Sequence, residues 1–348
     1  EVKKMLDIVV EHEGNPDVVQ LSGGEPTIHP DFFDILDYAT TLPIRHIMIN
    51  TNGIRIATDE QFVEKLSQYS TYQDTGIEIY LQFDSFKEDV LLKMRGKNLI
   101  ETRKKCVDIL NKLNIHTTLV ATIEKNSNDD EIGKIIDYAT TQKCVRGVTF
   151  QPTQFAGRND NSEAKLNKLT LTEVRQSILD QTDIFKPNDI LPVPCNPDSI
   201  AMGYALKLDG KTIPLTSMVD PSVFLDSAKN TILLEQEKSL QKHFVDLFST
   251  SKSGKPLTEN LKTLLCCLPQ VVAPNLSYEN VFRIIILKFM DAYDFDVRAV
   301  KKSCVHIVHK DGRLIPFETM NMFYRDEKEN MLKELQKPYE SLSYESNK

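Results

Sequence analysis

No run of about 18 apolar residues occurs in the 348-residue chain, so no segment has the length and apolarity of a membrane-crossing helix. No signal peptide is recognisable, and the first residue is Glu1; together these give the expectation of a cytoplasmic protein. Positive charge is not in excess: 42 Lys and Arg stand against 50 Asp and Glu, a net charge of -8. That balance argues against a broad nucleic-acid surface, which calls for clustered basic residues. Cysteine is sparse as well, with six in the whole chain. In so long a chain this is no disulfide framework; reduced thiols or metal ligands fit better. Cys106 and Cys144 stand alone, whereas Cys195, Cys266, Cys267 and Cys304 fall in the C-terminal half. What is present is ordinary globular composition, 41% hydrophobic and 26% charged, enough for one large domain or two unequal ones.

Residues 1 to about 155 alternate strand-like and helix-like segments with short connections, the pattern of consecutive βα units. Strands are expected at Asp17–Ser22, Arg45–Gly53, Gly76–Ser85, His116–Lys125 and Arg146–Gln154, with helices between them. Asn128 with Glu131, and Thr170 with Glu173, have capping-box spacing. The chain opens inside an amphipathic helix with no strand before it, which gives the expectation of a missing upstream strand and loop. Beyond Pro187 the texture changes to short strands, prolines and cysteines. Two Asp-Gly turns, in "YALKLDGKTIPLT" and "VHIVHKDGRLIPFET", mark hairpins. "YENVFRIIILKFMDAYDFD" (Tyr278–Asp296) reads as a buried helix, and the final residues read as a disordered tail.

Parallel strands with helical crossovers place ligands beyond their carboxyl ends. Those ends read "SGGEP", "NTNG", "QFDS", "ATIEKN" and "FQPTQFAGR", each polar or rich in exposable backbone. In "QLSGGEPTIHP", the pair Gly23–Gly24 would let a ligand approach the main chain, and Glu25 adds a negative charge suited to an ammonium group. The competing reading is a tight turn that needs left-handed backbone.

Taken together, "SGGEPT", "NTNG" and "QFDS…MRG", with "NDDEIG", "GVTFQP", "PCNPDSIA", "LLCCLP" and "SCVHIVHKDGRLIPF", resemble the radical S-adenosylmethionine superfamily. Within it the resemblance is to the molybdenum-cofactor GTP cyclase-like branch, in the group holding tetraether lipid synthases and a methanopterin-pathway methylase. The resemblance implies an α/β fold: a partial (β/α) barrel with a C-terminal α+β auxiliary-cluster domain. The expected division is residues 1–185 for a (β/α)6 barrel without its first strand, 186–338 for the second domain and 339–348 for a tail. It implies S-adenosylmethionine and a 4Fe-4S cluster as cofactors, reductive cleavage to a 5′-deoxyadenosyl radical, and hydrogen abstraction from an unactivated carbon. C–C bond formation or methylation of a lipid or pterin-like substrate would follow, with a ferredoxin or flavodoxin as electron donor.

By motif, Gly23 and Gly24 would hold the methionine amino group with Glu25 in support, and Thr51 and Asn52 would line the same pocket. Gln82, Asp84 and Arg95 would meet the ribose or the methionine carboxylate, and Asn128, Gln151 and Pro152 the adenosine. The superfamily's CxxxCxxC loop has no counterpart among the six cysteines, so a step through that cluster is not expected of these residues alone. The resemblance further implies an auxiliary cluster on Cys195, Cys266, Cys267 and Cys304, with Cys267 favoured over Cys266. Zinc and plain buried thiols remain open for the same residues. Rival readings of the chain are a non-catalytic binding protein with a degenerate barrel and a zinc-stabilised scaffold. Cys106 and Cys144 read as core, His306 and His309 as surface of a hairpin, and Glu318 as either substrate-facing or simply exposed.

Overall fold

Strands of β-branched residues and amphipathic helices alternate through the first half of the chain, and each pair folds as a parallel unit. The computed structural model describes residues 1–71, 76–155, 168–208, 210–217 and 280–325. The order is α1 (Val2–Glu13), β1 (Val18–Leu21), α2 (Phe32–Thr40), β2 (His46–Thr51), α3 (Ile54–Thr58), α4 (Glu60–Ser67) and β3 (Glu78–Gln82). Next come α5 (Glu88–Arg95), α6 (Ile100–Leu113), β4 (Thr117–Ile123), α7 (Ile132–Thr141), β5 (Val145–Pro152) and α8 (Leu171–Gln181). The later elements are β6 (Ile190–Pro192), β7 (Ile200–Leu208), β8 (Lys211–Pro214), β9 (Val281–Leu287), α9 (Val297–Val300), β10 (His306–Val308), β11 (Leu314–Pro316) and α10 (Phe317–Thr319).

β1 to β5 lie side by side in chain order, all parallel, and β9 continues the parallel run beside β5. β7 joins β9 antiparallel, and β6 and β8 both pair with β7. Among the described residues the result is an open, mostly parallel nine-stranded sheet with helices, the α/β partial-barrel architecture expected. Strands on the far side of residue 185 thus extend the same sheet.

Residues 281–287 correct the helix expected over Tyr278–Asp296. Apolarity alone does not separate a buried helix from a buried strand; here β-branched Val281, Ile284, Ile285 and Ile286 sit between two strands, which favours the extended form. Both hairpins form as expected, β7–β8 and β10–β11. The capping box of α8 forms: Thr170 Oγ1 accepts from Glu173 N at 3.1 Å, and Glu173 accepts from Thr170 N at 2.7 Å. The one expected at Asn128 does not. Its amide is drawn inward instead, and Glu131 accepts from Ser85 Oγ and, at 3.2 Å, from Phe86 N.

Strand alternation gives the sheet two unlike faces. Ile47, Ile49, Ile79, Leu81, Leu119, Ala121, Val148, Phe150, Ile284 and Ile286 are fully buried in one apolar cluster with the helices. Truncating such a residue, for example Phe150→Ala, costs about 3–5 kcal/mol. The other face carries His46, Met48 and Asn50 on β2, Glu78, Tyr80 and Gln82 on β3, Thr118, Val120 and Thr122 on β4, Thr149 and Gln151 on β5, and Arg283 on β9. Along each strand these residues run from buried at the amino end to half-buried at the carboxyl end, as in His46, Met48, Asn50 or Glu78, Tyr80, Gln82. This face is therefore sealed at one end and open at the other.

Candidate functional site

The sealed end is a buried charge cluster. Arg283 donates to both Glu78 carboxylate oxygens at 2.8 and 2.9 Å, His46 Nε2 lies 2.7 Å from Glu78 Oε2, and Thr118 donates to Oε1. Burial pushes the Glu78 carboxyl up, but the Arg283 charge, His46 and Thr118 together outweigh it and hold the group well below the usual carboxylate range. The sequence reading missed this cluster. Its signal was present: Glu78, Tyr80 and Gln82 repeat with period two inside an otherwise apolar strand.

At the open end, β1 runs into Ser22, Gly23, Gly24 and Glu25. Neither glycine has left-handed backbone, and a Cβ placed on either would meet nothing within 4 Å. The tight-turn explanation therefore fails; these glycines keep a stretch of main chain bare and exposed. Glu25 clamps that stretch. Its Oε1 accepts from Thr27 Oγ1 and Thr51 Oγ1, both at 2.7 Å, and its Oε2 accepts from Asn52 N at 2.7 Å. Thr51 Oγ1 in turn accepts from Gly53 N at 3.1 Å, where the chain turns with φ 77° into α3. Arg55, which the sequence reading passed over, donates to Thr27 O and holds the same loop from the other side.

Asp84 lies just beyond β3, fully buried between two arginines. Arg95 forks onto it through Nε and Nη2 at 2.9 and 2.8 Å, Arg103 Nη2 donates at 3.0 Å, and Thr122 N at 3.2 Å. Burial raises the Asp84 carboxyl, yet the Arg95 hydrogen bond and charge, with Arg103, bring it below its ordinary value. Four donors occupy the carboxylate, so Asp84 acts by holding Arg95, and the two guanidiniums leave this corner with a net positive charge. Asn128 is likewise committed: Oδ1 accepts from Glu124 N, and Nδ2 donates to the carbonyls of Asp84 and Thr122, all at 2.8 Å. It ties the ends of β3 and β4 together. Gln82 and Gln151 are half-buried at the mouth, and Pro152 is buried at the end of β5. The eleven expected contacts thus gather along one sheet edge, with Glu25, Asp84 and Asn128 shaping it from within.

Farther along the chain, Cys195 and Cys304 are brought to 3.1 Å between sulfurs, although 109 residues separate them. Burial, Cys195 and the nearby Glu318 push the Cys304 thiol up to about 12. Cys266 and Cys267 lie outside the described residues. Among the described residues no group of three His, Cys, Asp or Glu could hold a metal ion. Glu318 is buried and accepts from Ser303 Oγ at 3.0 Å, so it is not an exposed side chain. His306 is exposed as expected, but His309 is buried, its Nδ1 2.9 Å from Asp311, which corrects its reading as hairpin surface. Cys106 and Cys144 are core residues as expected; burial drives both thiols up, Cys144 to about 11.

An open parallel α/β sheet whose glycine loop, amides and arginine gather at the strand carboxyl ends defines a class of cofactor-binding enzyme domains. Comparison with known proteins specifies which. The Radical SAM superfamily profile matches residues 1–139, so this part of the chain is similar to an enzyme domain whose homologues use S-adenosylmethionine and a 4Fe-4S cluster. Over 94% of its length the chain is 29% identical to the 7,8-dihydro-6-hydroxymethylpterin dimethyltransferase of Methanocaldococcus jannaschii, covering 71% of that protein. It is 26% identical to the molybdenum cofactor biosynthesis protein moc-5 of Caenorhabditis elegans, over 46% of this chain and 26% of that one. To the mycofactocin maturase MftC of Mycolicibacterium smegmatis it is 24% identical, over 38% of this chain and 31% of that one. Among the described residues no helix is long and apolar enough to cross a membrane.

The edge fits S-adenosylmethionine: bare glycine main chain offers carbonyl acceptors to an ammonium group, and the Asp84 corner offers net positive charge to a carboxylate. The described residues contain no thiolate set that fits the iron cluster of the same reaction.

Proposed function

We propose that the chain is the body of a radical S-adenosylmethionine enzyme that acts on a carbon of a pterin-like heterocycle. The chemistry supplied by the bound cofactors is reductive cleavage of S-adenosylmethionine, which yields a radical able to remove a hydrogen atom from an unactivated carbon, with C–C bond formation or methylation following. The observation that carries the reading is the Gly23–Gly24 cradle, free of any conformational or packing need for glycine and clamped by Glu25 to Thr51 and Asn52. In this reading Gly23 and Gly24 take the amino group, Arg95 the carboxylate, and Gln82, Thr51 and Asn52 line the pocket between them. Gln151 and Pro152 flank the adenosine, while Asp84 and Asn128 position their neighbours. The heterocycle is favoured over a lipid by the dihydropterin named for the methanogen relative, which the chain matches over most of both lengths. Cys195 and Cys304, with Cys267, are the thiolates of an auxiliary cluster in the same proposal, and residues 186–338 its housing.

Binding of S-adenosylmethionine to the full chain by equilibrium dialysis tests the pocket. Gly24→Ala should weaken binding at least about tenfold with little change in thermal midpoint, because the added Cβ meets no protein atom within 4 Å. Equal binding by wild type and variant refutes the cradle. Iron and sulfide counting after anaerobic reconstitution tests the auxiliary cluster, with Cys195→Ala and Cys304→Ala expected to lose about four irons per chain.

A further inference from the structure

One layer below the cofactor edge, Asn50 and Tyr80 are direct cross-strand neighbours on the polar face of the sheet. Neither belongs to the set assigned to S-adenosylmethionine. The Asn50 amide donates to Ser22 Oγ at 3.4 Å, while its Oδ1 is buried with no hydrogen-bond partner. Turning the amide over exchanges the two ends without removing the problem: one polar end of a side chain inside the recess stays unmatched.

Tyr80 is nearly buried, and its hydroxyl has Thr149 and Gln151 beside it, with Gln151 Nε2 at 3.5 Å. Burial pushes the phenol up to about 12, so at neutral pH it keeps its proton and can donate. Met48 and Val120 share the same face and supply apolar wall. Below them Arg283 and His46 are bonded to Glu78, so the carboxylate there is engaged within the protein. This face therefore combines apolar walls with an amide and a phenol side by side, and a hydrocarbon chain lying against it would leave the unmatched end of Asn50 desolvated without a partner.

We propose that Asn50 and Tyr80 form the substrate subsite, and that it takes an uncharged planar nitrogen heterocycle presenting a donor and an acceptor along one edge, as a lactam does. This rests on the reading of the sheet edge above it as the S-adenosylmethionine pocket and of the substrate as a heterocycle, and adds the residues that read it.

The test is calorimetric binding of the methanogen relative's dihydropterin to the full chain, kept anaerobic with S-adenosylmethionine present. Asn50→Leu and Tyr80→Phe are compared with wild type, and S-adenosylmethionine affinity is measured on the same samples. Wild type should bind, and each variant should lose about tenfold or more in dihydropterin affinity while S-adenosylmethionine affinity stays within about twofold. A dihydropterin analogue lacking the ring carbonyl should bind wild type more weakly, and Asn50→Leu should no longer tell the two apart. Tyr80→Phe keeps the ring and its packing, so it reports on the hydroxyl even if Asn50→Leu folds poorly. No dihydropterin binding by wild type, or equal affinity across the variants, overturns the proposal. Loss of dihydropterin binding beside intact S-adenosylmethionine binding leaves the pocket reading standing. Dihydropterin binding that weakens in both variants, in a chain that takes no S-adenosylmethionine, upholds the subsite and refutes the pocket.

Discussion

Replacing Arg283 with methionine removes the cation that faces both oxygens of Glu78 across the sheet, from a strand 205 residues away in the chain. The side chain that remains is close in length and apolar, so little volume is lost; what is lost is the charge. Glu78 is fully buried, and breaking a buried pair by removing one partner costs about 3–5 kcal/mol. Against a total stability of about 5–15 kcal/mol this is a large fraction. The pH dependence gives the sign. In the wild type the folded-state pKa of Glu78 is depressed, so its contribution is present above the ordinary carboxylate pKa and is lost as pH falls through the lower folded value. Without Arg283, burial dominates and the folded value shifts upward, so the variant loses stability as pH rises above the ordinary carboxylate pKa. The gap between the two proteins should therefore widen from pH 4 toward pH 7, by about 3 kcal/mol or more in urea unfolding followed by far-UV circular dichroism. Adding Glu78→Gln should recover part of the loss, since it removes the stranded charge. A cost under about 1 kcal/mol at pH 7, or a double variant whose cost is the plain sum of the singles, would refute the account.

Other consequences are simpler to read. Thr170→Ala removes the cap that accepts from Glu173 N, and should lower stability by about 1 kcal/mol in the same assay. Lys207 Nζ donates to the carbonyls of Gln142 and Val145 at 2.6 and 2.9 Å, closing the end of α7 against the start of β5. Lys207→Met should cost about 1–3 kcal/mol by leaving both acceptors unmatched. Asp84→Asn should weaken S-adenosylmethionine binding through misplacement of Arg95, with a readout in affinity that the more remote Thr170→Ala does not share. Cys144 should stay unmodified by iodoacetamide at pH 8 until denaturant is added, because burial holds its thiol near 11; labelling of the folded chain at Cys144, read by peptide mass, would contradict its placement in the core.

Much of this arrangement was legible from local pattern. The βα alternation, the Asp-Gly hairpins and the Thr170 cap are written in neighbouring residues, since helix capping, turn geometry and strand alternation act within a few positions. The carboxyl-edge residues were also readable, because parallel topology sends every strand end to the same side. Tyr278–Asp296 failed for a local reason: Val281–Leu287, six apolar residues around Arg283, is compatible with both helix and strand, and the neighbours β5 and β7 decide.

The residue types at the site, the glycine pair and the strand order follow from the chain read in one dimension. Which of those residues face a ligand and which face each other is decided by contacts between distant segments. Glu25, Asp84 and Asn128 read alike as pocket residues in sequence, yet each turns its polar atoms to the protein, because a buried carboxylate or amide takes the nearest donors that tertiary packing supplies. The meeting of Glu78 with Arg283, of Cys195 with Cys304, and the unmatched end of Asn50 have no counterpart in local spacing. They arise only when the fold brings segments far apart in the chain together, since burial turns polar contacts between them from optional to obligatory.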